Sequence, residues 1–195
     1  MIKQIVGISD LGIYTVAVTI AELLFLLPIS IHSALIGRLY NLNDDDNGRA
    51  LLANTLRLSL YLCAILMIIG MLGSLLIPLL YGDAFKGATL VTIILLPGVL
   101  FACIPKIASP WFFTSGRPKI HLVITLGSLL LNIILNSLLI PSIGISGAAL
   151  ASTISYFVYG AYYVVLLVKR EGFPVRDLLC IHKDDVRVLK SLMRV

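Results

Sequence analysis

Residues 120–168 read IHLVITLGSLLLNIILNSLLIPSIGISGAALASTISYFVYGAYYVVLLV and contain no Asp, Glu, Lys or Arg. A helix needs about 20 apolar residues to cross the hydrocarbon core of a bilayer, and this run is roughly twice that long. PSIGIS at residues 141–146 divides it, because Pro and Gly at that spacing make a tight turn. The run therefore reads as two membrane crossings joined by a short hairpin. The rest of the chain agrees in composition. Of 195 residues, 59% are hydrophobic and only 13% charged, with mean hydropathy +1.03, whereas a soluble domain keeps about a quarter of its residues charged. Too few charges remain to cover a water-facing surface, and the composition places the chain in a membrane.

Three further segments qualify as spans. They are residues 11–36, interrupted only by Glu22, a charge-free stretch within 58–82, and the stretch between Lys86 and Lys106. Barrel strands would alternate polar and apolar residues, and these segments do not. The expected fold class is all-α, a polytopic membrane helical bundle of five transmembrane helices. Five crossings put alternate loops on opposite sides. Arg38, Arg49, Arg57, Lys106, Arg117, Lys119 and all the basic residues from Lys169 onward fall on one side, and only Lys3 and Lys86 on the other. The positive-inside rule then sets the C-terminus in the cytoplasm and the N-terminus outside. The expected division is an outer stub at residues 1–10, a bundle at 11–168 and a basic cytoplasmic tail at 169–195. In that tail Val186, Leu189 and Met193 share one face, as in a helix lying on the membrane surface. An N-terminus outside, with no signal peptide ahead of it, is what a missing preceding span would explain, although short N-termini also translocate unaided.

Polar residues inside the spans are not scattered. Residues three or four apart share a helix face. His121, Thr125, Ser128, Asn132 and Asn136 fall within about 80° of one another on the fourth span. Thr15, Thr19, Glu22, Ser30 and Ser33 cluster likewise on the first, and Ser152, Tyr156, Tyr159 and Tyr163 on the fifth. Such side chains face protein or water rather than lipid. One stripe alone reads as interhelical hydrogen bonding, at about 0.6–2 kcal/mol per polar contact. Three stripes together favour a shared wet cavity. Amide and hydroxyl walls offer donors and acceptors that match sugar hydroxyls, and Tyr rings can stack on a pyranose face. Glu22, near mid-span, costs about 2.5–3.5 kcal/mol on insertion scales. It reads either as a coupling or binding residue, or as a protonated acid bonded to a neighbouring span. Pro28 and Pro97 mark possible kinks.

Nothing indicates an enzyme. Cys63, Cys103 and Cys180 have neither metal-ligand spacing nor a disulfide framework, and the three His are isolated. No phosphate-cradling glycine loop or nucleophile elbow is present. No catalytic residue, cofactor, metal or nucleic acid is expected.

LGIYTVAVTIAELLFLLP (residues 11–28), LYGDAFKGATLVTIILLPG (80–98), TSGRPK (114–119) and LNIILNSLLIPSIGISGAALASTISY (131–156) together resemble the C-terminal half of bacterial polysaccharide flippases. These are the O-antigen and capsule exporters of the multidrug/oligosaccharidyl-lipid/polysaccharide exporter superfamily. The resemblance implies an inner-membrane transporter that moves a polyprenyl-pyrophosphate-linked oligosaccharide outward by alternating access between two helical bundles. This chain would be half of such a two-bundle transporter, with the N-terminal bundle as its missing partner. Glu22, Thr125, Asn132, Asn136, Tyr156 and Tyr159 are then the expected cavity lining. Arg38, Arg57, Arg117 and Lys119 would meet the pyrophosphate at the cytoplasmic mouth, although the positive-inside rule accounts for these four without a ligand. The expected partners are the lipid-linked oligosaccharide and membrane lipids. Two other readings remain: half of a drug/cation antiporter with Glu22 as coupling residue, and a non-transporting membrane fragment or subunit whose stripes bind a partner.

Overall fold

A computed structural model describes residues 5–42 and 45–180. The surface helix expected near Val186, Leu189 and Met193 lies outside the described residues. Within them every regular element is helical: α1 (Ile8–Glu22), α2 (Leu26–Asn41), α3 (Asp45–Ser74), α4 (Ile77–Tyr81), α5 (Lys86–Thr114), α6 (Pro118–Lys169) and α7 (Val175–Leu179). A single 3-10 turn, Leu23–Phe25, joins α1 to α2 into one 34-residue rod. Four helical rods are long and apolar enough to cross a membrane, and the last spans 52 residues.

That last rod is folded on itself. Ile143 and Gly144 leave helical geometry, and Gly144 has φ 61°, a conformation open to glycine for want of a Cβ. Beyond the bend the two arms are cross-bonded. His121 Nδ1 meets the Tyr163 hydroxyl, Thr125 Oγ1 lies 3.0 Å from the Tyr159 hydroxyl, and Ser128 Oγ donates to the Ser155 carbonyl at 3.3 Å. Asn132 Nδ2 then reaches Ser152 Oγ at 3.4 Å. Each step along one arm is matched by a step back along the other, so the arms are antiparallel and the rod supplies two spans. With α1–α2, α3 and α5, the chain has five membrane-length segments, an all-α polytopic bundle. Large apolar side chains such as Val123, Leu130, Ile69 and Leu72 remain exposed on the outside of α6 and α3, as a lipid-facing surface requires.

α5 is the central post. It packs against α1, α2, α3 and α6 and is buried at intervals from Ala88 to Phe112. It runs past Lys106 to Thr114 although it contains Pro97, Pro105 and Pro110. Each proline removes one backbone donor and leaves the carbonyl four residues earlier without its helical partner. Two of these carbonyls are met from other helices. His32 Nδ1 lies 2.8 Å from the Lys106 carbonyl, the one that Pro110 orphans. The Phe101 carbonyl, orphaned by Pro105, is approached so closely by Gly160 of α6 that a Cβ there would lie 2.4 Å from the oxygen. A second close crossing places Gly98 against Thr153, whose hydroxyl donates to the Ile94 carbonyl at 2.6 Å.

At the end of the bundle that carries most of the basic residues, the chain after α6 folds back as a strap. Arg117 makes two hydrogen bonds to the Glu171 carboxylate, at 2.8 and 2.7 Å, and the single Trp of the chain, Trp111, donates to it at 3.0 Å. The Arg49 guanidinium sits over the Trp111 and Phe173 rings and donates to the Glu171 carbonyl. Farther along, Arg57 donates to the Asp177 carbonyl at 2.6 Å and Tyr61 to that of Leu179 at 2.6 Å, which fixes α7 on α3. Burial pushes the Glu171 carboxyl up, but the hydrogen bonds from Arg117 and Trp111 and the charges of Arg117 and Arg170 outweigh it, so its pKa lies below the usual value. A carboxyl depressed on folding stabilises fully above its unfolded pKa, and that contribution disappears as pH falls through the folded value. Acid titration should therefore loosen the strap and change Trp111 emission. Glu171→Gln should abolish that acid transition; its persistence in the variant would show that another group drives it.

Candidate functional site

The 3-10 turn in the first span has a local cause. Pro28 has no N–H for the Leu24 carbonyl, and the Leu26 N–H bonds instead to Leu23, three residues back. The turn interrupts the α-helical geometry of the rod beside Glu22. The first span packs on α5 but touches the α6 hairpin at few points, among them Phe25, whose ring stacks edge-on against Tyr156 at 6.4 Å. Between rod, post and hairpin lies a cavity of about 780 Å³. Glu22, Phe25, Ile29 and His32 line it from the first span, Ala102, Lys106, Ser109 and Phe113 from α5, and His121, Thr125, Tyr156 and Tyr159 from the two arms of α6.

Of the residues singled out in the sequence, the fold brings Glu22, Thr125, Tyr156 and Tyr159 to this one wall. Asn132 and Asn136 are not in the lining. Asn136 Nδ2 donates to the backbone carbonyl and to the side-chain oxygen of Asn132, both at 2.9 Å, and Asn132 reaches Ser152 on the other arm. The pair closes the end of the hairpin nearer the bend. The four basic residues do not converge. Arg57 is 3% exposed and bonded to Asp177 and Asn54, and Arg117 is held by Glu171. Arg38 lies exposed on α2 and Lys119 exposed at the start of α6.

The cavity holds a different cation. The Lys106 ammonium lies 4.3 Å from the centre of the Phe25 ring, and among the described residues no carboxylate is within ion-pair distance of it. His32 and His121 flank the Phe113 ring, each edge-on, at 6.1 and 5.2 Å. Toward its basic end the cavity thus gathers Lys106, two imidazoles and Ser109, while Glu22 and the Tyr156 ring stand nearer the middle of the spans. The sequence contained a sign of this. Ala102, Lys106, Ser109 and Phe113 recur at helical spacing, but the sign is legible only if α5 is taken past Lys106 rather than ended there.

This arrangement binds rather than reacts. Hydroxyl and imidazole donors and acceptors line the walls with the Glu22 carboxyl, the Lys106 ammonium stands where an anion can reach it, and aromatic rings supply flat apolar faces. Comparison with curated proteins and with solved structures returned no match. The family model described as lipid II flippase MurJ matches residues 4–194. With nearly its whole length matched, this multi-pass membrane chain belongs to the lipid II flippase MurJ family, whose members are transporters of lipid-linked oligosaccharide and not enzymes.

Proposed function

We propose that this chain is the C-terminal bundle of a two-bundle flippase of the bacterial inner membrane. It carries a polyprenyl-diphosphate-linked saccharide from the cytoplasmic to the outer leaflet by alternating access. The observation that supports this most is Lys106, which among the described residues has no carboxylate partner, in a cavity walled by hydroxyls and rings. The cavity volume of about 780 Å³ falls in the range of ligand pockets, roughly 300–1,000 Å³. The basic end of the bundle faces the cytoplasm in this reading, as the distribution of Lys and Arg favours, and the cavity receives its substrate from that side. The matched family carries lipid II and the sequence resemblance points to O-antigen or capsule carriers. The diphosphate linkage to a polyprenyl chain is common to both, and Lys106 is the group proposed to bind it.

A second observation supports a partner bundle. Thr15, Thr19, Glu22, Ser30 and Ser33 are all exposed along one side of the first span. The Thr15, Ser30 and Ser33 hydroxyls bond back to their own helix, and of the other two, Thr19 and Glu22, the Glu22 carboxyl is the costlier for lipid to cover. A second bundle enclosing water across this face removes that cost.

The test is selective retention. The purified chain in nanodiscs rich in phosphatidylglycerol is presented with a lipid-linked saccharide diphosphate and examined by native mass spectrometry. The bound species should be the saccharide diphosphate, retained against a large excess of the phospholipid. Retention no better than that of phosphatidylglycerol would contradict the proposal.

A further inference from the structure

Phe25 holds three positions at once. It ends the 3-10 turn that interrupts the first span, it stacks on Tyr156 of the hairpin, and its ring carries the Lys106 ammonium. A stretch of 3-10 geometry within a longer rod often marks a hinge. Among the described residues the Lys106 ammonium has no carboxylate in ion-pair distance and rests on the Phe25 ring, and such cation–π contacts are modest beside a charge-assisted bond to an anion. An anion in the cavity therefore competes directly for the group that holds the turn in place.

Resting on the cavity reading above, we propose that the Lys106–Phe25 contact is an anion-released catch on the first span. In the empty cavity the ammonium pins the Phe25 ring and with it the turn at Leu23–Phe25. A diphosphate draws the ammonium away, the ring loses its partner, and the α2 part of the rod re-orients against the hairpin. The energetic requirement is met because the ligand favours one of the two arrangements, the one in which Lys106 is free to bind it. The neighbouring groups fit such a device. His32 bonds to the backbone carbonyl of Lys106 and not to its ammonium, so the side chain can leave Phe25 without breaking the helix-to-helix bond beneath it. Coupling substrate binding to rod movement in this way makes Phe25 a positioning residue for transport, acting through the Lys106 ammonium that meets the diphosphate.

The experiment uses the full chain with Cys63, Cys103 and Cys180 replaced and spin labels introduced at Ser33 of α2 and Leu122 of α6, both exposed. Farnesyl diphosphate is the probe and farnesol the control for its tail. Binding is followed by calorimetry and the label separation by pulsed electron resonance. Farnesyl diphosphate should shift the distance distribution and farnesol should not. Phe25→Leu should show the shifted distribution without ligand. Lys106→Met should also show it without ligand and should bind at least about tenfold more weakly, the loss of one charge-assisted contact. Lys106→Arg should restore both binding and the ligand-dependent shift. Binding with no shift in the parent chain would overturn the catch and leave the cavity reading standing. Unliganded distributions unchanged in both the Phe25 and Lys106 variants would do the same. Absence of any diphosphate binding would remove both.

Discussion

Gly160→Val should be among the most damaging single substitutions in this chain, separating the fifth span from α5 and costing about 3 kcal/mol or more. The reason lies in the backbone of the neighbouring helix. Pro105 deprives the Phe101 carbonyl of its helical donor, and Gly160 fills the space beside that oxygen so tightly that a single Cβ would stand 2.4 Å from it and 3.0 Å from its carbon. Backbone cannot rotate away as a flexible side chain can, so the helices must part. Without a hydrophobic driving force between helices in lipid, close backbone packing is a main source of association, and a gap there is not readily recovered. Thermal unfolding of the purified variant in detergent measures the effect. Gly127→Val is the control, because a Cβ at Gly127 meets nothing within 4 Å. Equal stability of the two variants would show that the crossing is looser than described.

Lys106→Met should weaken retention of a lipid-linked saccharide diphosphate by at least about tenfold, while Lys106→Arg stays within a few-fold of the parent. No carboxylate among the described residues is paired with Lys106, so removing it orphans none of them, and Met fills similar space along the cavity wall. The change should therefore appear in binding and not in folding. Arg38→Met and Lys119→Met, at exposed positions away from the cavity, supply the comparison. A binding loss as large in those two variants as in Lys106→Met would move the anion site to the mouth of the bundle.

The hairpin was legible in the sequence because an uncharged run of that length, broken by Pro and Gly, has few other solutions in a membrane. Helix ends were harder. Charges at Lys106 and Arg57 invited the reading that a span stops or starts there, yet α5 continues past Lys106 and α3 begins at Asp45. Each charge is accommodated inside the protein, one by a cavity and the other by the Asp177 carbonyl and Asn54. Helical periodicity placed Asn132 and Asn136 on the same face as Thr125, correctly as geometry. It could not show that the face meets a cavity at Thr125 and a packed neighbour at Asn132, because that depends on how far the first span stands from the hairpin at each level. The strap through Glu171 left no sign at all. An acid in a basic tail looks solvated until the fold brings Arg117 and Trp111 to it.

The central claim is that the hollow among the first span, α5 and the α6 hairpin is open to water from the basic end of the bundle. Its most direct test is aqueous thiol labelling of single cysteines at Thr125, Tyr159 and Ile29, compared with Leu130 on the outside of α6, in membranes of known sidedness. A membrane-impermeant maleimide should label the three cavity positions from the cytoplasmic side and leave position 130 unlabelled. Cavity positions as inert as position 130, or reactive only from the outer side, would contradict the account.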